Sequence, residues 1–140
     1  MTVLYSAEMN DLLGTVPASL PSGGVVDGNV RVKRATITLA SQATSDTIVI
    51  AKAAEGETFL YGVTQASATL GSSATIAIGI TGATGKYRAA ATHTSTAPVV
   101  FGLQAASVTL AAGEEIFITI ASAALPSSGT FVVDLYFSNT

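Results

Sequence analysis

The chain has no cysteine, no tryptophan, one histidine and little charge. Without cysteine there is no disulfide, no thiolate metal site and no cysteine nucleophile, and the redox compartment leaves no mark. Charged residues are 11% of the 140, against roughly 25% in an ordinary soluble domain. The net charge of −3 is too small to steer the chain toward nucleic acid or acidic lipid. Aromatic residues are 6%, few for a base-stacking platform. Mean hydropathy is positive, yet no apolar run approaches the roughly 18 residues of a membrane helix. The opening Met-Thr-Val-Leu-Tyr-Ser-Ala-Glu lacks a basic n-region and a continuous apolar h-region, so no signal peptide is expected.

What is present is alanine, serine, threonine and glycine where lysine and glutamate usually sit. A monomer at high concentration gains from surface charge, whereas a protein held in an assembly can leave its surface uncharged. The length fits one domain with a core that needs no staples.

The stretch Ile76 to Thr94, IAIGITGATGKYRAAATHT, imitates a phosphate-binding loop and fails on spacing. A Walker-type loop places four residues between its glycines and follows the lysine with Ser or Thr. Here five residues separate Gly79 from Gly85, and Tyr87 follows Lys86. The residues beyond have no helical apolar stripe, so no helix N-terminus would face a phosphate. The glycines read instead as a flexible connection between two strands, with Lys86 and Arg88 on the second.

The organisation is an arm followed by strands. Residues 1–29 form the arm: Ser6 to Gly14 reads as a short helix with Ser6 as N-cap and Gly14 as its left-handed stop. The Pro/Gly-rich TVPASLPSGGVVDGN then reads as loop or extended chain. Residues 30–140 form the folded domain. Strands are expected at Val30–Ala40, Thr47–Lys52, Thr58–Thr64, Ala74–Thr81, Tyr87–Ala91, Pro98–Gly102, Glu115–Ala121 and Thr130–Phe137, with a further short one at Ala106–Leu110. Ile76, Ile78 and Ile80, and Ile116, Ile118 and Ile120, alternate as core-facing positions. Phe131, Val133, Leu135 and Phe137 share one face of the last strand and Val132 and Tyr136 the other, which predicts a central strand covered on both sides. Val30 and Val32 are out of phase with Ala35, Ile37 and Leu39, which predicts a bulge near Lys33–Arg34. About eight short strands predict an all-β sandwich with an N-terminal arm. Its preferred form is a jelly-roll-like antiparallel arrangement, with an immunoglobulin-like sandwich as the alternative.

Catalytic chemistry is hard to assemble from these residues. His93 lies in a polar stretch and reads as an incidental loop histidine, since a general base needs an oriented carboxylate and a nucleophile. Glu55 and Glu57, which alternate and could point the same way, read with Glu114 and Glu115 as solvated turn carboxylates, without the dense oxygen set of a calcium site. No catalytic residue, cofactor or metal site is expected. Arg31, Lys33 and Arg34 form the main basic cluster and Lys86 and Arg88 a smaller one. Both fit either guarding of strand edges or docking to an acidic patch on a partner protein. Leu4, Tyr5, Met9, Leu12 and Leu13 are the arm's candidate contacts, either with a partner or with their own sandwich.

The arm SAEMNDLLGTVPASLPSGGVVDGN running into VRVKRATITLASQATSDTIVIAKAAEGETFLYGVTQASATLGSSATIAIG resembles the small cement, or decoration, proteins of tailed-bacteriophage heads. It is most similar in style to the jelly-roll cement protein of Bordetella-type short-tailed phages, over the whole chain. The resemblance implies a structural, non-enzymatic virion protein, made in the host bacterial cytoplasm, on the outer capsid surface. Its partners would be the major capsid protein, which it would brace against internal DNA pressure, and a second copy as a homodimer, with a trimer as the variant seen in other decoration families. It would touch neither nucleic acid nor membrane. The competing class is a receptor- or glycan-binding virion module of fibre or spike type, with Tyr61, Tyr87 and Tyr136 in place of tryptophan.

Overall fold

The computed structural model describes Leu4 and residues 29–139. The expected arm helix, and all the arm's candidate contacts except Leu4, lie outside the described residues. Among the described residues eight strands follow one another: β1 (Asn29–Thr38), β2 (Thr47–Ala53), β3 (Thr58–Ala66), β4 (Thr75–Ile80), β5 (Ala83–Thr92), β6 (Val99–Phe101), β7 (Glu114–Ala121) and β8 (Thr130–Asn139). They form two four-stranded sheets, ordered β1-β8-β3-β6 and β2-β7-β4-β5, and every pairing is antiparallel. First strand beside last, with the chain passing repeatedly from sheet to sheet, is the jelly roll. An immunoglobulin sandwich would instead hold its first strand beside its second.

The isoleucine alternation holds. Ile76, Ile78, Ile116, Ile118 and Ile120 are buried from the second sheet, and Ile80 packs half-buried at the margin. Phe59, Phe131, Val133, Leu135 and Phe137 meet them from the first sheet. Each such side chain contributes about 1.5–3 kcal/mol by leaving water. Phe59 sits at the centre, edge-on to Tyr87 at 4.7 Å and to Phe137 at 5.6 Å. The ring of Phe101 lies across Gly62, where an added Cβ would come within 2.2 Å of it.

Four local expectations change. β1 pairs with β8 from Asn29↔Asn139 to Thr38↔Thr130 without a register shift, so there is no bulge at Lys33–Arg34. The phase needs no repair because Val30 and Val32 are not core residues: they share the outward parity of Arg34 and Thr36, while Lys33, Ala35 and Ile37 share the inward one. β8 is central, between β1 and β3, but no second layer covers its outer face among the described residues. There Asp134 and Ser138 are buried and Val132 and Tyr136 half-buried, through neighbours such as Arg34 and Tyr61 on the same sheet. The Ala106–Leu110 segment is a 3-10 turn at Gln104–Ala106 and a single bridge, Thr58↔Thr109. Finally, the glycine-rich connection is a tight turn. Ile80 pairs with Ala83, and Gly82 turns the chain with φ of +83°, a conformation that costs glycine little. Gly79 is inside β4, where an added Cβ would meet the Ala83 carbonyl oxygen at 2.2 Å.

Candidate protein interface

Most of the basic residues singled out by sequence are engaged within their own chain. The Arg34 guanidinium donates two hydrogen bonds to the Asp134 carboxylate, at 2.7 and 2.8 Å. These bonds and the attraction of the carboxylate raise the Arg34 pKa above its usual value. Lys33 pairs with Glu57 at 3.3 Å and lies 5.6 Å from the Phe137 ring centre, within cation–π range. Lys86 donates to both Glu114 oxygens at 2.8 Å. The Tyr87 hydroxyl also donates to Glu114, and burial followed by that bond pushes its pKa up. Arg88 donates to the carbonyls of Ile76, Ala91 and Thr92, and burial lowers its pKa. Arg31 is exposed and makes no ion pair among the described residues. Leu4 is exposed too.

The acidic and histidine readings also change. Glu57 is buried and accepts from the Ala54 amide at 2.8 Å, whereas Glu55 is exposed, so the two do not form a pair. His93, in the connection just past the end of β5, is not an incidental solvated residue. It is buried, shares a 2.9 Å hydrogen bond with the Thr64 hydroxyl, and packs edge-on to Phe131 at 5.2 Å. Thr64 belongs to the first sheet and His93 follows β5 of the second, so this bond ties the sheets together. Burial, then the Arg88 charge, lowers its pKa.

Among the described residues no enclosed chemical site emerges. Among the described residues no three His, Cys, Asp or Glu side chains gather as a metal site. No helix there is long and apolar enough to cross a membrane. A depression lined by Lys52, Ala53, Gly113, Glu114 and Glu115 has a volume of about 260 Å³, below the roughly 300–1,000 Å³ of small-molecule sites. Of the three tyrosines weighed for sugar stacking, Tyr87 is buried. Tyr61 and Tyr136 stack on each other at 4.6 Å and 13°, on an open sheet rather than in a groove.

That open sheet is the candidate site. The outward face of β1-β8-β3-β6 carries Val30 at 60% exposure, Val32 at 56%, Tyr61 at 41% and Val100 at 68%. The ladder places them on one surface: Val32 opposes Tyr136, Tyr136 opposes Tyr61, and Val63 beside it opposes Val100. Arg34 and Asp134 stand within this surface and neutralise one another. Exposed apolar surface of this kind makes the face a candidate for protein contact, and tyrosine and arginine are side chains that anchor such contacts. Val30, Val32 and Tyr136 were visible in sequence as out-of-phase valines and the second face of the last strand; Val100 was not singled out. Their grouping needed the strand order.

The sequence matches no known family description and no curated protein. The fold does have solved counterparts. A chain of the capsid asymmetric unit of cyanophage Pam1 superposes with TM-score 0.61 at 21% identity, covering 81% of this chain and 86% of that one. A chain of the Ralstonia phage GP4 capsid gives TM-score 0.65 at 17% identity, covering 81% and 86%. A chain of the capsid of Helicobacter pylori bacteriophage KHP30 gives 0.58 at 6%, covering 78% and 86%. At these identities the likeness establishes a shared fold.

Proposed function

We propose that this chain is a structural virion protein that binds the outer surface of a phage capsid and cements neighbouring major capsid proteins against internal DNA pressure. The observation that carries this reading is an open apolar sheet face on a jelly roll, within which Arg34 and Asp134 neutralise one another. Such a surface suits a permanent place in an assembly, and the fold shared with chains of three phage capsids supports the setting. The role asks for contacts and no catalysis.

The reading divides the molecule into a sandwich, residues 30–140, that supplies rigidity and an arm, residues 1–29, that reaches a neighbour. Leu4, Tyr5, Met9, Leu12 and Leu13, with Arg31, which makes no ion pair among the described residues, are the proposed contacts with the major capsid protein. A chain that acts as a pair engages two shell subunits at once, which makes the second contact effectively intramolecular and converts modest contacts into tight binding.

Sedimentation of the purified chain with empty, expanded phage heads stripped of accessory proteins tests the reading. Saturable co-sedimentation at a symmetry-related stoichiometry, with heads made more resistant to heat, is expected. A chain that stays free of the heads of its own particle overturns the proposal and turns attention to receptor or glycan binding.

A further inference from the structure

The geometry points to the outward face of β1-β8-β3-β6 as the surface that joins two copies of this chain face to face. The inference deepens the pairing part of the proposed function and is independent of the shell.

Three observations select a second copy as occupant. The first is size. Strands of nine or ten residues at about 3.4 Å per residue and about 4.8 Å apart give a face of roughly 500 Å² in projection. Two copies then bury on the order of 1,000 Å² before corrugation is counted, the level a specific interface must clear. The second is charge. Asp134 and Arg34 cancel by a bidentate bond within the face. Glu8, Asp11 and Asp27, with no Lys or Arg among the first 28 residues, account for the net charge of −3. The sandwich is therefore neutral, and a copy laid on this face meets no like charge; a partner chosen by charge would find none unpaired there. The third is shape. β1 and β8 pair without a bulge over their whole length, a register shift in β3 lies between Phe59 and Tyr61, and two such sheets pack face to face with strands about 30° apart. The stacked pair Tyr61–Tyr136 supplies the aromatic centre, and Val32 and Val100 lie on opposite margins.

Sedimentation equilibrium of the full chain, from submicromolar to high micromolar concentration and without any shell, is the test. The wild type is expected to form a dimer. Val32→Lys and Val100→Glu each raise the dimer dissociation constant by about tenfold or more, whereas Val49→Lys, on the outward side of the other sheet, leaves it unchanged. All three side chains are exposed, and circular dichroism confirms that each variant folds. A wild-type monomer at every concentration overturns the inference, as does a closed trimer, or a dimer indifferent to both Val32→Lys and Val100→Glu. The chain has no native cysteine, so Val32→Cys carries its only thiol. Slow modification of that thiol in a monomer would assign the face to the chain's own arm. A monomer that binds heads through Val32 would assign it to the shell. Either result also rejects the second copy. Loss of head binding with the dimer intact would defeat the cement reading alone.

Discussion

The two sheets end differently on their outward sides. On the β2-β7-β4-β5 sheet the chain closes over itself. Ala77 and Gly79 are buried although they point away from the core, the turn into β5 crosses Gly79, and Arg88 reaches back to the Ile76 carbonyl. Phe117 is half-buried there, and Val49 is exposed. The β1-β8-β3-β6 sheet has no such cover among the described residues, and its valines and tyrosines face outward. The same apolar composition therefore ends in self-closure on one side and in an open face on the other. The difference lies in one hairpin and one arginine rather than in overall hydropathy.

Substitutions can break this comparison. The largest effect is expected at Phe59, buried where the sheets meet. Phe59→Ala should cost about 3–5 kcal/mol in denaturant unfolding, and a single transition would show that both sheets depend on one core. On the closed side, Gly79→Ala forces a methyl group against the backbone of Ala83 and Thr84. It should cost about 1–3 kcal/mol, while Val32→Lys on the open side should stay within about 0.5 kcal/mol in the monomer. Equal losses would mean that the two faces are not different in kind.

Within the open face, Arg34→Ala should destabilise by leaving the buried Asp134 carboxylate unpaired. Adding Asp134→Asn should recover part of the loss in a double-mutant cycle. No recovery would mean that Arg34 acts through packing alone.

The smallest effect is the pH dependence of the bond between the sheets. His93 has a lowered pKa in the folded chain. As pH falls through about 6.5, the unfolded chain takes up a proton before the folded one does. Stability should therefore be full above that pH and decline below it, until the folded His93 also protonates. Unfolding curves from pH 7.5 down to about 5.5, above the ordinary carboxylate range, should show the decline in the wild type, and a flat profile in His93→Gln. A sloping profile in the variant would place the titration elsewhere.

Much of the sandwich was legible because strand alternation has period two. The isoleucines at 76, 78, 116, 118 and 120 and the aromatic face of the last strand mark the core from sequence alone. Side-chain partners were not legible, because they lie far apart in the chain. Arg34 meets Asp134 across 100 residues and Lys86 meets Glu114 across 28, so basic clusters that read as free charge are mostly internal pairs. His93 read as an incidental polar residue because its local neighbours are polar, whereas its burial comes from Thr64 and Phe131 on the other sheet. The bulge expected in β1 came from assuming that every valine seeks the core. Val30 and Val32 face outward instead.

The sequence by itself determined an all-β chain without disulfides, with little surface charge and with the inward residues of its main strands, because composition and alternation are local properties. Tertiary structure alone decided that the first strand lies beside the last, that Val32, Tyr136, Tyr61 and Val100 share one surface, and that the opposite sheet closes over itself. Those outcomes depend on which strands become neighbours, and long-range pairing is set by the packing of the whole core rather than by any one segment.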